Sequence, residues 1–179
     1  MPQSIRRVVT GCDSNGKSVV VSDGEASSRI TIEHLAGLTM TGLWFLERPP
    51  ADDSDGGDQP SARGRLGPPP GGMTFGITEI PPDEAMMAGL DMEALQEEIS
   101  AKMPGLLDAS DPSRLGMHRT DTIDFVVVLS GEVWLRLDES EVHLQAGDCV
   151  VQRGTWHAWH NRSAKPCLIA DVMISPQPA

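Results

Sequence analysis

The last third of the chain alternates apolar and polar positions in short runs. The runs cover residues 125–129, 133–137, 142–145, 149–152, 156–159 and 168–174. Ser-Gly-Glu, Asp-Glu-Ser, Ala-Gly-Asp and Arg-Gly-Thr turn sequences separate them. Short strands at regular spacing, with turn residues between them, are typical of an all-β sandwich or barrel.

The first part of the chain predicts further strands. Residues 6–10 and 17–22 are rich in valine and flank Asn15-Gly16, a pair that accepts the positive φ angles of a tight hairpin turn. A third strand is predicted over residues 39–45 and a fourth over residues 73–80.

Two segments break the strand pattern. Residues 49–72 are dense in Pro, Gly, Asp and Ser, so we expect a flexible loop that is dispensable for folding. Asp91 is a suitable N-cap for a helix that runs to about Met103. We expect this helix to pack on the barrel, with a lid over the site as the alternative.

The length of 179 residues is that of one ordinary domain. We therefore interpret residues 1–179 as a single domain. Its parts are N-terminal strands in 1–48, a flexible loop in 49–72, a strand and helix insertion in 73–115, and a barrel core in 116–175.

Two histidine segments carry the candidate chemistry. The first contains His118 and then Asp124, which a straight strand would separate by about 20 Å. We therefore predict a turn at residues 121–122, so that both side chains can reach one site. The second segment contains His157 and Trp159, which share one face of a strand because side chains alternate.

These segments resemble the two motifs of the cupin superfamily over about residues 116–174. The first motif usually has His, His and Glu before a glycine, and here Thr120 and Asp124 occupy the second and third positions ahead of Gly131. The second motif is matched by a glycine at 147, a glycine at 154, His157 and Asn161. The match departs from the family in its spacing, which is one residue short between the two glycines.

The resemblance implies a cupin-type jelly-roll β-barrel with an N-terminal strand extension and one inserted loop and helix. It also implies a homodimer. Two imidazoles and a carboxylate would form a ligand set for a divalent metal, Fe, Mn, Zn or Ni, from His118, Asp124 and His157. The alternative is a metal-free pocket in which the histidines bind or protonate an organic ligand. No organic cofactor is expected.

Further residues are candidates for contact with a small-molecule substrate. The aromatic and sulfur side chains among them would favour an apolar or aromatic ligand if they line the cavity, and are otherwise core residues. Arg153 would anchor an anionic group or form a surface ion pair. The predicted substrate-binding residues are Thr120, Trp159, Arg153, Trp44 and Met117.

Charge and composition narrow the partners and the location. A net charge of −12 repels phosphate backbones and argues against a nucleic-acid partner. No run of 18 apolar residues predicts a membrane span, and the N-terminus lacks the apolar stretch of a secretory signal, so we expect a cytoplasmic protein. Three widely spaced cysteines argue against a disulfide framework.

The function that these features favour is a small-molecule enzyme. We expect a lyase or isomerase, of the dehydratase or decarboxylase kind, that acts on an organic acid, ketone or aromatic, polyketide-like substrate. His118, His157 and Asp124 would be its catalytic residues. A metal-dependent dioxygenase and a non-catalytic ligand-binding protein are the alternatives, because a fold alone does not decide activity.

Overall fold

The computed structural model of the protein describes residues 2–48, 66–103 and 105–176. Most of these residues lie in strands, so the predicted all-β architecture is confirmed. The strands are β1 Arg6–Cys12, β2 Ser18–Glu25, β3 Ser28–Ile32, β4 Leu38–Leu46, β5 Met73–Ile80, β6 Ile123–Ser130, β7 Glu132–Arg136, β8 Glu141–Gln145, β9 Cys149–Gln152, β10 Ala158–His160 and β11 Cys167–Ile174. The helices are α1 Asp83–Met87, α2 Met92–Lys102 and α3 Leu106–Ala109, and a 3-10 turn covers Glu33–Leu35.

Two sheets enclose the main core. The larger has six strands in the order β3-β4-β5-β11-β6-β9, and the smaller has three in the order β10-β7-β8. Val126, Val128 and Ile169 from the larger sheet pack in one cluster with Val133 and Leu135 from the smaller. The inner faces of the two sheets therefore meet as the two walls of a barrel.

Alternation along β6 determines what faces this interior. Asp124, Val126 and Val128 are buried, while the residues between them are exposed. Side chains alternate between the two faces of a strand. The inner face of β6 therefore carries a carboxylate, and its outer face is apolar.

The N-terminal strands form an extension of the barrel. β1 and β2 pair as the predicted hairpin, separate from the larger sheet. β3 was not predicted, because Ser-Arg-Ile-Thr-Ile has no turn signal of its own, and it is positioned by its pairing with β4. The residues around the hairpin reach the outer face of the larger sheet, where Ile5 and Ala26 pack against Leu43 and Leu168.

Helix α2 begins where the sequence predicted. The Asp91 side chain accepts hydrogen bonds from the backbone N–H groups of Glu93 and Ala94, at 3.0 and 3.1 Å. Leu95 and Ile99 of the helix pack with Ile32 in a second apolar cluster. The helix therefore packs on the barrel, as predicted in preference to a lid over the site.

The end of the predicted flexible loop is packed. Leu66 contacts the cluster under α2. The backbone N–H of Gly71 donates to the carbonyl of Pro176, and that of Ser175 donates to the carbonyl of Gly72, both at 3.0 Å. These contacts differ from the prediction for residues 66–72, since two long-range hydrogen bonds join this proline-glycine segment to the residues after β11. The rest of the predicted loop, residues 49–65, lies outside the described residues.

Within the ranges that the structure describes, no helix is both long enough and apolar enough to cross a membrane.

Asn161 is a buried polar residue that joins three segments. Its side chain is fully buried, and its Nδ2 donates to the carbonyls of Ile80 and Lys165 at 2.9 and 2.8 Å. Its Oδ1 accepts from the backbone N–H and the hydroxyl of Ser163, at 3.0 and 2.7 Å. This side chain fixes the loop after β10 against the end of β5.

We predict that Asn161→Ala destabilises the fold by on the order of 3 kcal/mol, because it leaves buried carbonyl groups without a donor. Ser163→Ala, which removes only a partly buried hydroxyl, should cost about 1 kcal/mol. Urea unfolding of the two variants measures both values. Equal losses would show that the amide bonds of Asn161 do not hold this loop.

Candidate functional site

His118 and His157 lie directly opposite each other. The backbone N–H of each donates to the carbonyl of the other, at 2.9 and 3.0 Å. Residues paired in this way in an antiparallel bridge project their side chains to the same side. Accordingly, the two imidazole rings lie with their centroids 4.3 Å apart and their planes inclined by 54°.

The turn that allows this pairing lies where the sequence predicted it. Residues 121–122 form a bend between the bridge at His118 and the start of β6. The chain therefore leaves the bridge and enters the larger sheet within a few residues.

Hydrogen bonds determine which nitrogen of each ring carries the proton. Nδ1 of His118 lies 2.9 Å from the carbonyl oxygen of Gly116, and Nδ1 of His157 lies 2.9 Å from that of Thr155. A carbonyl oxygen only accepts, so each Nδ1 must be the donor. The lone pair of each neutral imidazole is therefore on Nε2.

Both Nε2 atoms remain available to a ligand. Among the described residues no hydrogen bond reaches either atom. Each of these atoms keeps some exposure to solvent. Among the described residues, the one side-chain nitrogen or oxygen that is both fully buried and without a hydrogen-bond partner is Oδ1 of Asp124. Two unprotonated imidazole nitrogens thus have no partner among the described residues.

Burial keeps both rings neutral at physiological pH. Burial lowers the pKa of His118 below its usual value. Burial and, after it, the positive charge that His118 can carry lower the pKa of His157 to about 4. A proton on one ring makes a second proton on the other unfavourable, because the like charges repel.

Trp159 and Thr120 flank the histidine pair. The rings of Trp159 and His157 meet edge to face, with centroids 6.1 Å apart, and Trp159 also packs on the main core cluster. Thr120, two residues after His118, has its hydroxyl 2.7 Å from that of Thr122. The structure therefore brings two of the predicted substrate-binding residues to the histidine pair.

Asp124 is a buried carboxylate on the inner face of β6. Only 6% of its surface is exposed, and its Oδ1 has no hydrogen-bond partner. Burial raises its pKa, and a hydrogen bond from the Thr122 side chain lowers it by a smaller amount. An orphaned carboxylate oxygen in a protein interior is a costly feature, and such features cluster at functional sites.

Asp171 is a second interior carboxylate, which the sequence analysis missed. It lies on β11, opposite Val126 of β6 and Gly76 of β5. Burial and, after it, the negative charge of Asp124 raise the pKa of Asp171 to about 6. The signal was present in the sequence, since Asp171 is the one charged residue in the run Cys-Leu-Ile-Ala-Asp-Val-Met-Ile.

A glycine leaves room beside this carboxylate. A Cβ atom at Gly76 would lie 3.8 and 3.9 Å from the two carboxylate oxygens of Asp171, and 3.3 Å from the carbonyl of Thr41. The opposite residue on β4 is also a glycine, Gly42. Two facing residues without side chains keep this part of the inner wall open.

A comparison with protein families identifies the barrel core. Residues 110–173 match the family model described as "Cupin domain". These residues, which include both histidine segments, are therefore similar to the cupin domain family. The jelly-roll barrel inferred from the two motifs is therefore confirmed, and the matched residues include both histidines and both interior carboxylates.

Two curated relatives match short parts of this chain. A segment of 48 residues is 58% identical to the phomopsin biosynthesis cluster protein C' of Diaporthe leptostromiformis, and covers 26% of this chain and 25% of that protein. A segment of 58 residues is 44% identical to the cupin-domain-containing oxidoreductase virC of Hypocrea virens, and covers 32% of this chain and 30% of that protein. The matches thus span about a quarter to a third of the relatives.

A solved structure is also similar. The Cupin 2 conserved barrel domain protein of Salinispora arenicola superposes with a TM-score of 0.40 and 11% sequence identity, over 77% of this chain and 76% of that one.

Two predicted substrate-binding residues lie away from the histidine pair. Trp44 is opposite Phe75, an exposed residue on the outer face of the larger sheet, and Arg7 covers its ring at 5.3 Å. An irregularity in the β4–β5 register after Gly42 turns Trp44 outwards. Met117 is buried, but it precedes His118 and so projects to the opposite side. These positions correct the prediction that both residues line the cavity.

Arg153 lies in the exposed turn after β9. The next residue, Gly154, would place a Cβ atom 3.1 Å from the carbonyl of Thr120, so this turn abuts the end of the histidine segment. In the described part of the chain the guanidinium of Arg153 makes no hydrogen bond or ion pair. It remains a candidate to bind an anionic group.

The predicted metal ligands do not converge. In residues 2–48, 66–103 and 105–176, no three histidine, cysteine or acidic side chains lie close enough to hold a metal ion. Asp124 is buried on the inner face of β6 and does not form such a group with the two rings. The two histidines could supply two ligands to a metal, but the described residues do not form a complete metal site.

We predict that Asp171→Asn flattens the dependence of stability on pH. The folded-state pKa of Asp171 is raised to about 6, above the value of about 3.9 in an unfolded chain. Its protonated form therefore stabilises the fold fully below about pH 4, and this stability is lost as the pH rises through about 6. The variant cannot ionise at this position. As the pH rises from 4 to 7, its free energy of unfolding should therefore increase by on the order of 2 to 3 kcal/mol relative to that of the wild type.

Urea unfolding at a series of pH values measures this difference. Asp108→Asn, on the exposed side of α3, is the matched control and should keep the wild-type slope. If Asp171→Asn also keeps that slope, the carboxylate does not resist ionisation in the fold.

Proposed function

We propose that this cupin is a small-molecule enzyme of the lyase or isomerase kind, in which the histidine pair transfers a proton on an organic substrate. One observation carries the proposal. Both Nδ1 atoms donate to backbone carbonyls, so two Nε2 lone pairs are free on rings whose centroids lie 4.3 Å apart. A positioned imidazole lone pair is the most frequent general base in enzymes.

His118 is the better proton acceptor of the two. Burial and, after it, a positive charge on His118 lower the pKa of His157 to about 4, so the neutral pair can accept one proton, which we assign to His118. In the proposed reaction, Nε2 of His118 takes a proton from a carbon next to a carbonyl group. The same imidazolium then returns the proton to another carbon, which isomerises the substrate, or to a leaving hydroxyl, which dehydrates it.

His157 would bind the substrate during this transfer. Its Nε2 stays unprotonated and accepts a hydrogen bond from a substrate hydroxyl. The edge of Trp159 beside it offers an apolar surface to a ring or alkyl group.

The interior carboxylates support the same chemistry. The raised pKa values of Asp124 and Asp171 favour their protonated forms, and a protonated carboxyl donates a hydrogen bond to a substrate oxygen. We therefore keep Asp124 among the proposed catalytic residues, as a hydrogen-bonding group, and add Asp171. The name of the phomopsin cluster relative supports a biosynthetic small molecule as substrate.

Metal-dependent oxidation, by a dioxygenase for example, is the second candidate. It is supported by the relative named as a cupin-domain-containing oxidoreductase. The two free Nε2 atoms would hold the metal, which would supply Lewis-acid or redox chemistry when bound. The described side chains offer no third ligand beside them, so this reaction would need a ligand from the substrate or from elsewhere in the chain.

We predict that the wild-type protein accelerates exchange of carbon-bound protons with D₂O in at least one member of a panel of 2-oxo acids, 3-oxo acids and cyclic ketones, followed by NMR. His118→Ala and His157→Ala should each lose ~10²–10⁴-fold in rate. His143→Ala, which removes an exposed histidine on β8, should exchange at the wild-type rate.

The pH profile gives a second readout of the same reaction. The rate should fall on acidification, with its midpoint below the usual histidine value of about 6.5, because protonation removes the lone pair of His118. A lack of exchange with every compound would favour a ligand-binding protein that performs no catalysis.

We predict that the wild-type protein binds Zn²⁺ weakly and that Thr120→His raises the affinity by at least about tenfold, because it adds a third imidazole on the His118 side of the site. Calorimetric titration in the His143→Ala background excludes binding at that surface histidine. Stoichiometric metal in wild-type protein purified without a histidine tag would contradict the prediction. Iron would then favour the oxidoreductase, and zinc, manganese or nickel would favour a metal-assisted lyase or isomerase.

A further inference from the structure

The inner face of the larger sheet is open beside Asp171. Val126 lies on one side of this residue and Gly76 on the other, and Gly76 is in turn paired with Gly42. A Cβ atom at Gly76 would lie 3.8 and 3.9 Å from the two carboxylate oxygens of Asp171, so the missing side chain is on the carboxylate's own face. This row therefore leaves room for a ligand directly beside an acidic group.

The carboxylate of Asp171 has no hydrogen-bond donor in the described part of the chain. Its two oxygens also keep some exposure to solvent, because Oδ1 of Asp124 is the one fully buried, unpartnered side-chain nitrogen or oxygen among the described residues. Asp171 thus lies on the inner wall of the barrel and still borders space that a small molecule can enter.

Asp124 is short of donors as well. Only 6% of its surface is exposed, and Gln152, opposite it on β9, directs its amide elsewhere. Nε2 of Gln152 donates to the carbonyl of Arg153 and to the hydroxyl of Thr155, both at 2.7 Å. Among the described residues, only the Thr122 side chain donates to the carboxylate, and Oδ1 stays without a partner. A buried acceptor is therefore left for a ligand.

The two carboxylates are close enough to act on one ligand group. Asp171 is opposite Val126, two residues after Asp124 on β6, so the two aspartates are diagonal neighbours across the β6–β11 pair. Diagonal neighbours in a sheet lie about 7–8 Å apart. Burial and, after it, the negative charge of Asp124 raise the pKa of Asp171 to about 6, as this spacing predicts. A small group between them would contact both.

No positive charge balances these carboxylates within residues 2–48, 66–103 and 105–176, since neither forms an ion pair there. Buried carboxylates without a counter-charge are unfavourable. The neighbouring inward positions of the sheet are apolar or carry hydroxyl groups. They are Met173, Thr74 and Phe45 beside Asp124, and Val128, Ile169, Thr78 and Met40 on the other side of the Asp171 row.

The histidine pair adds acceptors to the site and no donors. The Nδ1 atoms of His118 and His157 already donate to carbonyls, so each ring offers only its Nε2 lone pair. The free polar atoms of the two rings and of the two ionised carboxylates are therefore all acceptors. A ligand that complements them donates hydrogen bonds and carries a positive charge.

We propose that the barrel interior binds a protonated amine through Asp171, with Asp124 beside it, so that the substrate carries an amino group. This inference rests on the proposed function, because it names a group of that enzyme's substrate. An ammonium group has three N–H donors and one positive charge, which complement a carboxylate among other acceptors. Asp124 keeps its hydrogen bond to a substrate oxygen, so an amino ketone or an amino acid fits both.

Other ligand groups fit less well. With a pKa of about 6, Asp171 is mostly ionised at neutral pH and repels a carboxylate or a phosphate. A metal ion needs more ligands, and no three histidine, cysteine or acidic side chains of the described residues lie close enough to hold one. Trp159 packs on the core cluster that contains Val126 and Ile169, which favours an apolar or aromatic body attached to the amine.

Three probes of similar shape test the preference for positive charge. Benzylammonium, benzyl alcohol and benzoate carry a positive, a neutral and a negative group on the same ring. Calorimetric titration of the wild type at neutral pH should give an affinity for benzylammonium ~10–100-fold above that for benzyl alcohol, because hydrogen bonds between charged groups are the stronger ones. Benzoate should bind more weakly than both.

Asp171→Asn keeps the shape of the side chain and removes its charge. The variant should bind benzylammonium ~10–100-fold more weakly than the wild type and should bind benzyl alcohol about equally well. Asp108→Asn, on the exposed side of α3, is the matched control and should retain the wild-type preference.

Gly76→Ala tests the room beside the carboxylate. Its methyl group would be in van der Waals contact with both oxygens of Asp171, so benzylammonium and benzyl alcohol should both bind more weakly. Gly24→Ala, on β2, is the control, because a Cβ atom there meets nothing within 4 Å. It should leave both affinities unchanged. Circular dichroism checks that each variant is folded.

The amine site is wrong if the wild type binds benzyl alcohol as tightly as benzylammonium, if benzylammonium does not bind, or if Asp171→Asn keeps the preference. Unchanged affinities in Gly76→Ala would also overturn it. These titrations need no turnover, so they are separate from the proton-exchange assay. Amine preference without exchange would contradict the proposed enzyme and leave a ligand-binding protein for amines. Exchange without amine preference would contradict only the amine site.

Discussion

The backbone bridge between His118 and His157 organises the candidate site. Its two hydrogen bonds join the segment before β6 to the segment before β10, and so tie the entrance of the larger sheet to that of the smaller. The same pairing forces both imidazoles to one side and leaves each Nδ1 beside a carbonyl of its own segment. Ring position, tautomer and the free lone pairs thus follow from one main-chain contact.

The barrel interior holds polar groups at a cost to its stability. Asp124 has an oxygen without a partner, and burial raises the pKa of Asp171 to about 6. An apolar residue at either position would pack against the valines of β6 without this penalty. A proton-transfer site requires neutral histidines and carboxylates that resist ionisation. The proposed chemistry therefore explains why these destabilising groups lie in the interior.

Strand β6 presents different chemistry on its two faces. Its inner face carries Asp124 into the barrel, and its outer face presents Phe125 and Val127 to the surface. Alternation along one strand therefore places a carboxylate in the interior and apolar side chains on the surface.

The sequence alone determined the features that depend on local patterns. Alternation and turn residues gave the strands of the last third, the hairpin at Asn15-Gly16, the Asp91 cap and the side-by-side placement of His157 and Trp159. Tertiary structure decided what depends on register between distant strands. It placed Asp171 in the interior with Asp124, and it turned Trp44 outwards. It also left Asp124 outside any three-residue metal-binding group with His118 and His157. A strand's periodicity says which residues share a face, but only pairing with its neighbours decides what lies across from them and which face is inside.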